Sequence, residues 1–292
     1  MTPTRTSCRR SPRCGLIPRA VRYRIARWLV GAMIRDPSAL KLLELSWGEI
    51  VDIVSDQGLG NRRLAAAALD PAELQPVCAR DFKGLHRPFS QLPCTRATTR
   101  ARVQMALQLA PRDDPVLVLG DDDMVSVALA KAGFRDVTAV DICDQVLASV
   151  RAEADRLGVR VQIVRHDLND PLPPLLQTPP RRLVFIDPMY SVDGVRLFLE
   201  SALEATGRQP EARIFLSLHL LSLGRAGLEQ LEAMLDRAGV VVDAILRGFN
   251  SYAVPPRLRL LLPVANRLLL GGAWGTAEPS FFFSDALLLR KR

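Results

Sequence analysis

From residue 116 onward, short apolar runs alternate with stretches whose apolar residues recur every three or four positions. The runs 116–120, 137–141, 161–166, 183–187, 213–219, 240–247 and 280–289 have the length and Val/Ile/Leu content of buried strands. The stretches 124–132, 143–157, 194–205 and 224–238 carry the 3.6-residue period of amphipathic helices, and a further helical pattern at 93–109 leads into the first run. Strand and helix in alternation predict βαβ units and a parallel sheet. No clear amphipathic helix separates the last two runs, and their long connection predicts a sheet that ends in an antiparallel pair.

Upstream the pattern changes. Leu40, Leu43, Trp47, Ile50, Ile53 and Val54 fall at helical spacing, and Pro71 and Pro76 break it. This divides the chain into a basic tail (1–35), a small, mainly helical or winged-helix-like domain (36–88) and a larger α/β domain (89–292). Seven strands with this connectivity are the layout of a class I methyltransferase-like (Rossmann-like) fold. A fold alone does not name a reaction.

The net charge of +8 is unevenly spread. Residues 1–110 hold 18 Lys and Arg against 8 Asp and Glu, residues 111–200 hold 10 against 15, and residues 201–292 hold 11 against 8, so the segments run +10, −5 and +3. A basic total invites a nucleic-acid partner, but the third that carries the strand-end carboxylates is acidic. Nine arginines precede the first acidic residue, Asp36. That is the composition of an organellar leader; with 35 Arg against 4 Lys overall, an ordinary basic tail is favoured. Five cysteines without C-x-x-C spacing and three scattered histidines indicate neither a disulfide framework nor a metal site, and are read as those of a reduced, cytoplasmic protein. No apolar run reaches the ~20 residues of a membrane helix, so no membrane partner is expected. A homodimer is left open.

The chemistry concentrates at strand ends, where ligands bind in open α/β sheets. The first run closes in Gly120-Asp121-Asp122-Asp123. Nucleotide-binding versions of this turn are glycine-rich and hold an anion at the next helix N-terminus. Here the next glycine is Gly133, and three carboxylates would repel a phosphate. A carboxylate ~4 Å from a unit positive charge attracts it by ~4 kcal/mol at an effective dielectric of 20. The turn is therefore read as a site for an ammonium or a sulfonium, with Asp121, Asp122 and Asp123 facing the ligand. The alternative is that they cap the following helix. Asp141, 20 residues beyond Asp121, closes the second strand, where a carboxylate accepts from ribose hydroxyls; the alternative is again a helix cap. Asp167, after the third strand, is placed beside an adenine pocket, and its neighbour His166 is read as structural. The fourth strand ends in Asp187-Pro188-Met189-Tyr190-Ser191. There an acceptor carboxylate orients an amine and takes its proton, and the aromatic ring favours cationic groups.

These residues resemble the branched-chain polyamine synthases, the N4-bis(aminopropyl)spermidine synthases. The matching pieces are Phe89-Ser90-Gln91, Thr98-Thr99-Arg100-Ala101-Arg102-Val103, the stretch from Leu117 to Ser126 with its Gly-Asp-Asp-Asp element, Val140-Asp141-Ile142, His166-Asp167-Leu168 with Pro171-Leu172-Pro173, and Asp187 to Ser191 with Gly194. Met189 stands where the family pattern has a second proline, and Ser191 where it has threonine. The resemblance implies aminopropyl transfer from decarboxylated S-adenosylmethionine, as co-substrate, to the central nitrogen of spermidine. It implies that Asp122 and Asp123 hold the cationic donor or polyamine, that Asp141 binds the ribose, and that Asp187 orients and deprotonates the amine. Two other readings compete. One is an N-methyltransferase that uses S-adenosylmethionine on an amine or nucleic acid. The other is a DNA-binding regulator whose α/β domain senses a polyamine.

Overall fold

The computed structural model describes residues 94–218, 220–252 and 282–292, the pair Ala68–Leu69, and Val21 and Arg24. The basic tail apart from Val21 and Arg24, nearly all of the expected small domain, His86 and His219 lie outside the described residues.

Eight strands form one sheet: β1 (Ala68–Leu69), β2 (Val116–Leu119), β3 (Val137–Asp141), β4 (Gln162–Arg165), β5 (Leu183–Ile186), β6 (Arg213–Leu218), β7 (Val240–Tyr252) and β8 (Phe282–Lys291). Their order is β1-β7-β8-β6-β5-β2-β3-β4. All pairings are parallel except those of β8, which runs antiparallel between β6 and β7. The helices are α1 (Arg96–Leu109), α2 (Val125–Lys131), α3 (Asp144–Leu157), α4 (Pro174–Gln177), α5 (Val192–Thr206) and α6 (Leu220–Arg237).

The expected strands and helices stand within a few residues of their predicted ends, and the antiparallel pair is β7 with β8. Three features differ, the first being the one-turn helix α4, too short for a helical period to show. β1, a two-residue strand inside the span expected as a small domain, pairs with β7; so short a strand leaves no periodicity to read. β7 runs on to Tyr252 because its register against β8 shifts between Leu246 and Asn250, which lets Asn250, Ser251 and Tyr252 pair with Ser284, Phe283 and Phe282.

Every residue of β2, β3 and β5 is buried, as the unbroken apolar runs of β2 and β5 require; in β3 the buried set includes Thr138 and Asp141. Alternate side chains serve opposite faces. Leu117, Leu119, Val184 and Ile186 pack on Val195 and Leu199 of α5 and Leu231 of α6. Val116, Val118, Leu183 and Phe185 pack on Met105 and Ala106 of α1 and Leu129 of α2. Each such side chain contributes roughly 1.5–3 kcal/mol by leaving water. A one-residue slip would exchange the faces of a whole strand, so register is tightly held.

That register sets the strand ends level. Leu119 is paired with both Val140 and Ile186, so Gly120 emerges between Asp141 and Asp187. Ile186 pairs with Leu216, which puts Asp187 beside Ser217. The loop from Asp187 then returns into α5, whose N-cap Ser191 accepts a hydrogen bond from Gly194 N at 3.1 Å. A Cβ on Gly194 would stand 2.6 Å from the carbonyl oxygen of Met189. Gly194→Ala should therefore displace the Asp187–Ser191 loop and lower stability by roughly 1–3 kcal/mol, the usual range for overpacking, as read by urea denaturation. An unchanged midpoint would show that the loop yields freely.

Candidate functional site

The three aspartates after β2 point to different places. Gly120 turns the chain with φ of +74°, and Met124 lies in the left-handed region at +54°. Between these turns Asp121 is swung inward. It is fully buried and accepts from Ser126 N at 3.3 Å and from the Ser126 hydroxyl. This corrects the expectation that it faces a ligand: Asp121 makes the helix-capping contact given above as the alternative. Burial pushes its carboxyl up to about 7, against the pull of the Ser126 hydrogen bonds.

Asp123 turns the other way, towards α1. One carboxylate oxygen accepts from the backbone N of Cys94, and the other accepts from Arg102 Nη1 at 2.6 Å. Arg102 is 3% exposed, on the buried stripe of α1 with Thr98, Met105 and Ala106. Its Nη2 donates to Asp187 at 2.7 Å and to Ser217 Oγ at 2.9 Å, and its Nε donates to Asn250 Oδ1 at 3.0 Å. Its guanidinium carbon lies 5.8 Å from the centre of the Phe215 ring. Burial works against its charge, but Cys94, Asp123, Asp187 and Tyr252 hold its value well above the usual arginine range.

Asp187 also accepts from the Tyr252 hydroxyl at 3.4 Å. Tyr252 is hydrogen-bonded to Tyr190 through their hydroxyls and to Ser284 Oγ at 3.1 Å, and Asn250 Nδ2 donates to Ser284 Oγ at 3.0 Å. A closed circuit of hydrogen bonds thus runs from Arg102 through Asn250, Ser284 and Tyr252 to Asp187 and back. Burial and then Asp187 raise the values of both phenols well above the ordinary tyrosine range, so both stay protonated. Asp187 itself is raised by burial, with Arg102 opposing.

Asp122, between Asp121 and Asp123 in the turn, feels the same charges. Burial and the carboxylates of Asp123, Asp187 and Asp141 raise its value well above the usual range, and Arg102 pulls it down. Among the described residues, Asp123 and Asp187 thus share one guanidinium, and Asp122 lies in the same field. The place suits a cation, which would favour their charged forms.

Asp141 stands behind this group at the end of β3. Its two oxygens accept from Cys143 N at 2.8 Å and Asp121 N at 3.3 Å, so it caps α3 as well as closing the strand. Burial raises its value. A carboxylate has about four acceptor positions, so these two bonds leave capacity for ribose hydroxyls. Asp167, after β4, accepts at Oδ1 from Asn169 N at 3.0 Å and Asn169 Nδ2 at 2.8 Å, and the Asn169 N–H lowers its value. It is not part of the carboxylate group. His166 ties its own loop, with Nε2 3.2 Å from Asp170 O. Met189 is 57% exposed, so the departure from a second proline falls at the surface. Cys94 and Cys143 are free and buried.

Of the residues singled out in the sequence, the structure brings Asp123, Asp187 and Tyr190 into one network with Asp122 beside them, and leaves Asp121 and Asp167 outside it. Sequence reasoning missed Arg102, Ser217, Asn250, Tyr252 and Ser284. Arg102 left a signal: a charged residue on the stripe where α1 is otherwise apolar or small. The others left none: Ser217 is a small polar residue inside the β6 run, and the partners of Asn250, Tyr252 and Ser284 are set by the β7–β8 register.

The strand order, with one antiparallel strand inserted beside β6, and the carboxyl-end site between β2, β3 and β5 define a class I methyltransferase-like protein. The model of the branched-chain polyamine synthase A C-terminal domain matches residues 78–258, more than half of the chain, and the chain belongs to that family. It is 30% identical over 169 residues to the N(4)-bis(aminopropyl)spermidine synthase of Thermococcus kodakarensis, covering 56% of this chain and 47% of that protein. To the synthase of the same name from Thermus thermophilus it is 27% identical over 198 residues, covering 67% and 56%. The chain spans between about a third and somewhat over half of the length of the curated relatives it matches. The crystal structure of the branched-chain polyamine synthase from Thermus thermophilus, in complex with N4-aminopropylspermidine and 5'-methylthioadenosine, has the same fold, with a TM-score of 0.62 at 20% identity over 92% of this chain and 87% of that one. No described helix is long and apolar enough to cross a membrane.

The inward turn of Asp121 makes stability depend on pH. The unfolded chain ionises near the ordinary 3.8, and the folded carboxyl holds its proton to about 7. Between these values the native state binds the extra proton, so stability falls as pH rises through that window and levels off above it. Asp121→Asn keeps the neutral form throughout. Wild type should lose up to roughly 2 kcal/mol relative to this variant between pH 5 and pH 7, measured by denaturant titration. Parallel curves would mean that Asp121 ionises at no cost in the fold.

Proposed function

We propose that this chain transfers an aminopropyl group from decarboxylated S-adenosylmethionine to an amine nitrogen of a polyamine such as spermidine, giving a branched product. The observation that carries this reading is the excess of carboxylate at the ends of β2, β3 and β5. Asp123 and Asp187 pair with Arg102, the one counter-charge of the group among the described residues, and Asp122 lies in the same field. An ordinary methyl donor brings a carboxylate that this group would repel. The decarboxylated donor keeps only its ammonium and sulfonium, and the acceptor is cationic as well. The polyamine and the 5'-methylthioadenosine bound to the Thermus thermophilus relative support the same chemistry.

In this reading Gly120 lets the donor approach the end of β2, and Asp141 accepts from its ribose. Asp167 accepts from the adenine amine. Asp122 holds the cationic groups, and Asp123, engaged by Arg102 and Cys94 N, adds its charge behind it. Asp187 orients the acceptor nitrogen, with the Tyr190 ring beside it. The neutral amine then attacks the carbon next to the sulfonium. The new C–N bond forms as the C–S bond breaks, 5'-methylthioadenosine leaves with the bonding pair, and the amine proton passes to the Asp187 carboxylate. Catalysis consists mainly of alignment and of removal of that proton. Residues 89–292 form the catalytic unit, working in a reducing cytoplasm that leaves Cys94 and Cys143 as thiols.

Mass spectrometry of the products from spermidine, with the two donors in parallel, tests the reading. Aminopropylated spermidine is expected with decarboxylated S-adenosylmethionine alone. A methylated amine formed from S-adenosylmethionine would replace the proposal with the methyltransferase reading. The division of roles is tested separately. Asp187→Asn should lower kcat by roughly 10²–10⁴, the range of general-base loss, and leave donor binding within about twofold. Asp141→Ala should instead weaken donor binding by roughly 10–100-fold, as expected for lost charge-assisted hydrogen bonds. Calorimetry that found both variants equally weakened in donor binding would contradict it.

A further inference from the structure

We infer that Arg102 is a positioning residue of the transfer site, a planar fork that holds Asp123 and Asp187 at a fixed separation and aims the Asp187 carboxylate at the reacting amine. The inference rests on the function proposed above and adds a role that neither the strand-end motifs nor the comparisons assign.

The geometry carries it. A guanidinium has five N–H donors fixed in one plane. Four donor contacts are made here, to Asp123, Asp187, Ser217 and Asn250, at 2.6–3.0 Å. The acceptors come from four places in the chain: the turn after β2, the end of β5, β6 and β7. Phe215 lies 5.8 Å from the guanidinium carbon. α1 is anchored in its turn by Thr95, which accepts from Thr98 N at 3.3 Å. A lysine ammonium on the same stem is a single point that cannot span both carboxylates with the same fixed angles.

Two consequences follow for Asp187. Its Oδ2 accepts from Arg102 and Tyr252 together, which defines the orientation of the carboxylate. Its charge is set by what surrounds it: Asp122 and Asp123 from the turn after β2, Tyr190 from its own loop, Tyr252 from β7, and Arg102 as the cation of the group. Without Arg102, Asp123 and Asp187 become neighbouring buried like charges, and one of them retains a proton to higher pH.

Two substitutions separate geometry from charge. Arg102→Lys keeps the charge and loses the fork, so kcat should fall by about 10²-fold, the scale of a 1 Å misplacement, with donor KM within about threefold. The acid limb of its kcat–pH profile should stay near that of wild type. Arg102→Gln loses the charge too, and its acid limb should move to higher pH by a unit or more. Asn250→Ala removes only the anchor of Nε; it should lower kcat by about tenfold with donor affinity unchanged, and it serves if the Arg102 variants do not fold. A kcat within threefold of wild type in the Lys variant, or an unmoved acid limb in the Gln variant, would overturn the inference. If wild type itself forms no aminopropylated product, the functional reading fails, and the inference is decided without turnover by a ¹³C NMR titration of the aspartate carboxyls. Asp187 should then titrate at higher pH in the Gln variant than in wild type; coincident titrations would overturn it.

Discussion

The contact between Arg102 and the two carboxylates of Asp123 and Asp187 is the constraint on which the rest of the site depends. It joins the helix that precedes the sheet to the ends of two core strands, and it does so in a place nearly closed to water. Such an arrangement is poor evidence of stabilisation. Taking a guanidinium and two carboxylates out of water costs several kcal/mol per ion, and an apolar packing of similar volume often does as well or better. Removing one partner is the expensive step, because the remaining charges stay buried. Arg102, Asp123 and Asp187 therefore form a unit in which each makes the presence of the others tolerable. What the fold obtains is a fixed geometry of carboxylates at the mouth of the sheet.

A second buried arginine shows the contrast. Arg181, ahead of β5 at the opposite end of the strand, is 1% exposed. It donates to the carbonyl oxygens of Leu175 and Leu176, and its carboxylate partner, Asp136, is more distant, at 3.4 Å, and far more exposed. There the side chain satisfies the carbonyls at the end of a short helix, a structural task. At the carboxyl end the same residue type is spent on charges. The sheet thus has a structural end and a chemical end, and the difference is visible in what each arginine touches.

Much of this was legible in the chain because unbroken apolar runs can only be interior strands, and the strand ends of an open parallel sheet are where ligands bind. Asp122, Asp123, Asp141 and Asp187 were singled out by that rule and by the sign of their charge, and they do stand at the ends of β2, β3 and β5. The rule is blind to direction: it could not tell that Asp121 turns under the helix to Ser126 while its neighbour Asp123 reaches α1. That choice is made by the left-handed turn at Met124, a backbone conformation that a methionine does not announce. Nor could it find Asn250, Tyr252 and Ser284, which meet only because β7 shifts register after Leu246.

The electrostatics of the site follow from burial as much as from number. Asp122, Asp123 and Asp187 in open water would be three ordinary acids that any salt could screen. Set between two strand ends, with one guanidinium already engaged, Asp122 and Asp187 are held above the usual range by burial and by their neighbouring carboxylates, with Arg102 opposing. A cation entering the group would favour their ionised forms and displace protons, so affinity for such a ligand must be linked to proton release. The linkage gives selectivity a direction. A ligand with a carboxylate meets charges that are already uncompensated, whereas an ammonium supplies the compensation the fold lacks. Arg102 fixes how much is lacking, and so the same buried contact that orders the strand ends also sets the sign of the ligand they are proposed to bind.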